Sequence, residues 1–373
     1  MDFVGTAQLL LTGPFYPGAD PLDERPVCSI PADGVLDTAG RIVPVRRPMD
    51  QFLRGSLTFG NPPFELLTHF AGSEQFDAEL SAVVEQAAGL PLRLKVTGMI
   101  FPDGYGSVAV RMEVADGWNA ARGALIDRFG PNGRDAVVGK IRDVLLPALV
   151  EVSDRCCPEA SGETLLPYFN LTYVGETSHQ LPGRGTLSDE LRQLVYPRSP
   201  APITSDSPWA DEFFYAGYAF SLLAAPDPRH TLDQLEHLLL HLDVRYARMD
   251  RSAASADRLV RASLAEENLA WLIGLESRLR ADYQALVRPT FSYDHHVLKL
   301  RDSLLYAWET DKTRERTDTL LQMARQAVER KLAADQARRV ARVNLVVTIL
   351  VIVNVVASIE SAVNLWRIWF GSP

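Results

Sequence analysis

Two rhythms alternate along this chain. Between residues 92 and 114 apolar and polar positions take turns: Leu92, Leu94 and Val96 are interleaved with Arg93, Lys95 and Thr97, Pro102-Asp103-Gly104 supplies a turn, and Val108, Val110, Met112 and Val114 resume the pattern. A period of two predicts a β-hairpin with one buried face. Around it the period lengthens. Phe76, Leu80, Val83 and Ala87 share one face of a helix that Gly89 stops, and Val137, Ile141, Leu145 and Leu149 share one face of another, which Pro147 bends. "LRGSLTFG" (53–60), "YFNLTYVG" (168–175) and the almost wholly apolar "DEFFYAGYAFSLLAA" (211–225) each read as one strand. The order strand, helix, strand, strand, helix, strand is that of a ferredoxin-like α/β sandwich, with helices on one face of an antiparallel sheet. Residues 1–52, dense in Pro, Gly and Asp, read as an irregular strand-rich segment in which "AQLLLTG" and "RIVPV" form brief strands.

From Thr231 the period is helical throughout. Thr231 and Gln234 form a capping box ahead of Leu235, Leu238, Leu242 and Tyr246. A second helix is expected from Ala253 to Arg288, with Leu272, Leu275, Leu279, Tyr283 and Leu286 as a packing seam and Pro289 as its stop. Val297, Leu300, Leu304 and Trp308 mark a third helix, antiparallel to the second because the loop between them is short. Residues 309–319 ("ETDKTRERTDT") interrupt the seam, either as a solvated length of helix or as a linker before a new helix capped by Thr319 and Gln322; one long helix is favoured. Beyond it Leu321, Ala324, Val328, Leu332, Val340 and Val343 restore a face, with Asp335 and Arg339 spaced for an ion pair.

The last stretch, "VNLVVTILVIVNVVASIESAVNLWRIWF" (343–370), changes the picture. Seventeen residues without formal charge lie between Arg342 and Glu360, close to the ~20 apolar residues that cross a bilayer. Trp366 and Trp369 fall at the far interface, and Arg338, Arg339 and Arg342 form a basic collar at the near one. Positive charge stays inside, and the N-terminus has no basic region before its short apolar run. The expectation is therefore a single-pass, tail-anchored protein of the inner or plasma membrane with its bulk in the cytoplasm. Asn344, Thr348, Asn354, Ser358 and Ser361 occupy one arc of the span. Leaving Asn354 in lipid costs about 1–2 kcal/mol, so self-association through this arc is expected, with a pore lined by it as the alternative.

Composition supports folded domains: the chain has 373 residues, 47% of them hydrophobic and 23% charged. A net charge of −9 argues against nucleic acid as a partner of the body and leaves anionic lipid beside the collar. Three cysteines, Cys28, Cys156 and Cys157, have no zinc spacing. No phosphate-loop motif occurs, since Gly139-Lys140 has Arg134 where the first glycine belongs, and neither G-x-S-x-G nor H-E-x-x-H is present. The glycines of "DGYG" serve a hairpin turn better than an anion, and "LPGRGTLSDE" (181–190) is a lone Gly-rich loop. His237 and His241, four apart, could hold a metal with His230 or Asp243, but the edge of a core helix explains them more simply; His295 and His296 point in different directions. No catalytic residue, cofactor or metal site is assigned.

A cytoplasmic α/β domain, antiparallel helices and a stalk running through "LAADQARRVARVNLVVTILVIVNVV" into a span resemble, in layout, the CorA family of divalent-cation channels. The family's Gly-Met-Asn and second span have no counterpart in "SAVNLWRIWFGSP", so magnesium transport does not carry over. The resemblance implies a homo-oligomer with cytoplasmic domains around helical stalks. The expected organisation is an N-terminal segment (1–52), an α+β domain (53–230), a helical hairpin and coiled-coil stalk (231–342) and a transmembrane helix (343–369). The expected function is non-enzymatic sensing or scaffolding of an unidentified cytoplasmic protein or small ligand. An ion pore lined by the polar arc, or an enzyme in the N-terminal domain, are the alternatives.

Overall fold

The structure, a computed structural model, describes residues 3–18, 41–44, 68–101, 104–156, 164–177, 192, 194, 205–207, 209, 211–262, 276–277, 280, 283–284, 286 and 295–371. Met1–Ser255 with Ser277–Arg316 forms one compact unit, and Ala256–Glu276 with Thr317–Pro373 a second. The chain is mixed α+β. Its strands are β1 (Val4–Pro17), β2 (Ile42–Pro44), β3 (Thr68–Gly72), β4 (Leu92–Ile100), β5 (Gly106–Val114), β6 (Thr164–Leu165), β7 (Asn170–Glu176), β8 (Phe213–Tyr215) and β9 (Phe220–Ala225). The helices are α1 (Glu74–Ala88), α2 (Gly117–Phe129), α3 (Arg134–Cys156), α4 (Arg229–Ala262), α5 (His295–Ala307) and α6 (Thr310–Phe370).

The expected hairpin is β4–β5, antiparallel with Leu94 opposite Met112 and Val96 opposite Val110. At Gly98 and Gly106 a Cβ would collide with the rings of Phe70 and Phe15, so close approach of aromatic side chains requires glycine at both positions. The sheet runs β2-β3-β4-β5-β1-β7-β9-β8, with β6 on the end of β1. Residues 4–17, read from sequence as brief strands among turns, form one strand of 14 residues between β5 and β7. Length and near-complete burial make it the sheet's centre. β7 and β9 are parallel. The apolar run 211–225 is not one strand: Ala216–Ala219 separates β8 from β9, which pair antiparallel.

α1, α2 and α3 cover one face of the sheet. α1 opens on Ser73, whose hydroxyl accepts from the Phe76 amide, and closes on Gly89 in the left-handed conformation (φ 68°). It buries Phe76, Leu80, Val84 and Ala88, a stripe one residue on from the expected Val83 and Ala87. Asp77, Ser81 and Glu85, four apart, accept hydrogen bonds from the amides of Val96, Leu94 and Leu92, two apart on β4. One helical step of four residues, about 6 Å, nearly matches two strand residues, about 6.6 Å, so α1 satisfies the β4 amides in succession. α2, unassigned in the sequence reading, buries Trp118, Ala121, Leu125 and Phe129. Trp118 lies 4.6 Å from Phe3 and donates to the Val174 carbonyl. On α3 the expected stripe Val137, Ile141, Leu145 and Leu149 is buried, and Pro147 lies within the helix.

α4 begins two residues before Thr231. The Arg229 amide is held by Asp227, and the Thr231 hydroxyl donates to Glu212 instead of capping, so the expected box does not form. The helix continues without the break expected between Tyr246 and Ala253. α5 ends at Ala307, Glu309 adopts φ 52°, and α6 runs 61 residues from Thr310. The stretch 310–319 is thus helical, with the interruption just ahead of it. Asp335 meets Arg338 (3.7 Å), not the expected Arg339. The strand expected at 53–60 and the loop at 181–190 lie outside the described residues, as does much of the helix expected to 288.

Candidate functional site

The sheet's second face carries the residues that alternate with the apolar set. His69, Thr97, Arg111 and Asn170 each neighbour a core residue in sequence, namely Phe70, Val96, Val110 and Leu171, and therefore point the other way. α4 supplies their partners. Glu236, 4% exposed at the side chain, accepts from Thr97 (2.7 Å) and from Arg111 Nη2 (2.6 Å), which also reaches Asp233 (2.7 Å). Two turns on, Asp243 accepts from the Asn170 amide (2.9 Å). Further still, the Arg248 guanidinium lies over Phe101 (4.6 Å), and Arg251 lies over Tyr16 (4.5 Å) and donates to the Pro17 carbonyl (2.6 Å).

His237 and His241 fall within this layer. Their rings are 4.7 Å apart and perpendicular, His69 is 5.9 Å from His237, and Phe101 is 6.3 Å from His241. All three imidazoles are buried. His230, the other suggested ligand, is exposed beside Gln234. No group of His, Cys, Asp or Glu among the described residues has the geometry to hold a metal ion. Asp243 is completely buried, and desolvation pushes its carboxyl from 3.8 up to about 7 against the lowering effects of the nearby Thr12 hydroxyl and of the Asn170 bond. Its second oxygen has no hydrogen-bond partner among the described residues.

A second polar cluster joins residues 205–212 to the starts of α4 and α5. Glu212 accepts from Ser207 (2.8 Å), Thr231 (2.8 Å) and His296 Nε2 (2.7 Å). The other ring nitrogen of His296 is 3.4 Å from the Gln234 oxygen, and Trp209 stacks on the imidazole at 3.8 Å. The Glu212 and His296 side chains are each 1% exposed, and their contact ties three segments together. The expected divergence of the two histidines is seen: His295 is exposed and His296 buried. Sequence reading missed the role of Glu212, whose only signal was one of two adjacent carboxylates, Asp211 and Glu212, at the head of an apolar run.

All ten residues singled out for the membrane segment lie on α6. Asn344, Thr348, Asn354, Ser358 and Ser361 are exposed on one side of it, and Arg338, Arg339 and Arg342 before the uncharged run and Trp366 and Trp369 after it are exposed as well. The hydroxyls of Thr348 and Ser358 return to the Asn344 and Asn354 carbonyls (2.8 Å each). Hydroxyls bonded four residues back need no outside partner. The asparagines differ, since the Asn354 carboxamide makes no hydrogen bond among the described residues. α6 is the one described helix long and apolar enough to cross a membrane, with mean hydropathy 2.3 over its best window and none of that window buried. Comparison of the chain with protein-family models, curated proteins and solved structures yields no match to any of them.

Proposed function

We propose that this chain is a membrane-anchored sensing or scaffolding protein whose α+β body is held at the cytoplasmic face by α6. The observation that carries the reading is the helix surface between Arg342 and Glu360: seventeen uncharged residues, exposed on every side. An uncharged, largely apolar helix surface belongs in a core or in lipid, and the described residues bury none of it. The run covers about 25 Å at ~1.5 Å per residue, close to the hydrocarbon thickness. Arg338, Arg339 and Arg342 before it, against Arg367 alone among residues 361–373, favour the body on the cytoplasmic side. The body binds a cytoplasmic partner or small ligand, and the helices carry the response toward the membrane.

The test is extraction and protease protection of the full chain in membranes. Retention in the pellet at alkaline pH, with the body digested only when the cytoplasmic face is exposed, is expected; release into the supernatant overturns the reading. A second reading, an ion pore, draws on the one-sided placement of Asn344, Asn354 and Ser361. Ion flux through reconstituted protein, abolished by Asn354→Leu with Ser358→Leu, is its signature; its absence removes the pore and leaves the anchor.

A further inference from the structure

We infer that residues 333–365 of α6 are a parallel, in-register docking surface for a second copy of this chain. The inference rests on the anchor reading above and adds to it the partner and the contact face. Written in sevens, with Asn344 at the first position of the frame, this stretch divides into two sides that keep their identity over its whole length. The inward positions are Asn344, Val351 and Ser358 alternating with Val347, Asn354 and Ser361, flanked by uncharged neighbours throughout. The outward positions change with the surroundings. Below the span they hold Lys331, Arg338, Arg339 and Arg342; within it they hold Ile349, Ile352, Val356 and Ile359. One side is thus matched first to water and then to lipid, while the other stays uncharged in both and carries Asn344, Asn354, Ser358 and Ser361 within the span.

A helix that only anchors has no use for such a frame. A straight α-helix drifts by ~20° for every seven residues, so a side defined by sevens remains one side only if the helix supercoils around another. Solvent matching without a partner would put branched apolar residues all round the span, as on its outward side. The inward side instead carries a groove lined by Val351, Asn354, Val355, Ser358 and Ala362, with Ile359 at its outer margin, and Ser358 and Ala362 are small enough there to let a second backbone approach.

The occupant follows from three considerations. Every copy inserted by the same charge rule has the same orientation, so copies meet in parallel and each inward residue faces itself. Asparagine is self-complementary, one carboxamide giving an N–H to the other's oxygen, and an Asn in the seam fixes register. The face is without charge from 333 to 365, so identical copies do not repel, and its twenty positions per copy reach the roughly 20–30 residues a side of a stable interface.

Disulfide scanning of the full chain in membranes tests this. With Cys28, Cys156 and Cys157 replaced by Ser, single cysteines are placed at each position from 344 to 359 and oxidised. Cross-linked product is expected to peak for Asn344→Cys, Val347→Cys, Val351→Cys, Asn354→Cys and Ser358→Cys and to fall several-fold for Ile349→Cys, Ile352→Cys and Val356→Cys. Adding Asn354→Leu should lower the yield of Ser358→Cys, whereas Ile352→Leu should not. A flat profile, or a maximum on the outward positions, overturns the seam while leaving the anchor intact. Release of the parent chain by alkaline extraction overturns both.

Discussion

One sheet has two unlike faces. Toward α1, α2 and α3 it presents Leu9, Leu11, Val96, Val110, Met112 and Leu171, met by Leu80, Trp118, Leu125, Ile141 and Leu145. Toward α4 it presents Thr97, Arg111, His69 and Asn170, met by Glu236, His237 and Asp243. Apolar packing is non-directional and sums with area, whereas each buried polar pair is satisfied in one geometry only. The first face supplies most of the free energy. The second sets the rotation and register of α4 on the sheet, at a desolvation cost that the first face offsets.

Breaking the apolar face should have the largest effect. Trp118→Ala removes a fully buried indole and its contact with Phe3, and a loss of about 3–5 kcal/mol by denaturant unfolding is expected. A loss below ~1 kcal/mol would mean that this face does not dominate.

Asp243 comes next and brings pH into the comparison. Its carboxyl is raised to about 7 in the fold, so its contribution is fully present below its unfolded value near 3.8 and is lost as pH rises through about 7. Asp243→Asn keeps an acceptor for Asn170 and cannot ionise. Relative to the parent, the variant should gain stability between pH 4 and 8, by up to roughly 4 kcal/mol at ~1.4 kcal/mol per pH unit. A difference that is constant across that range would assign the polar layer no titrating member.

The smallest effect distinguishes specificity from stability. Glu236→Ala leaves Arg111 only its exposed Asp233 partner and Thr97 without its acceptor, and should cost about 2–3 kcal/mol, less than a fully buried pair because the Arg111 side chain is 28% exposed. Arg111→Met with Glu236→Leu should return to within about 1 kcal/mol of the parent. If the double variant stays as unstable as the single, the pair stabilises the fold outright and the contrast between the faces is weaker than drawn.

What could be read from the chain follows the same division. The stripe of α3, the β4–β5 hairpin and the Gly89 stop were legible because one period and one terminator specify each. β1 was not legible as the central strand: buried on both sides, it has little alternation, and its partners β5 and β7 lie about 100 and 165 residues away. α2 was overlooked because it offers one apolar residue per turn among Ala, Arg and Gly. Thr231 and Gln234 had the spacing of a cap, yet tertiary partners claimed both side chains, Glu212 the first and His296 the second. The histidine pair on α4 was visible as a spacing, but the layer it belongs to needed the sheet's far face to be placed. The uncharged run in α6 was the plainest signal, since it depends on length and composition alone.

At both margins of the described sheet stand strands of three residues, β2 and β8. Long open margins would let neighbouring copies zip together edge to edge. Margins this short give an incoming strand little to grip, so the described sheet resists that kind of polymer.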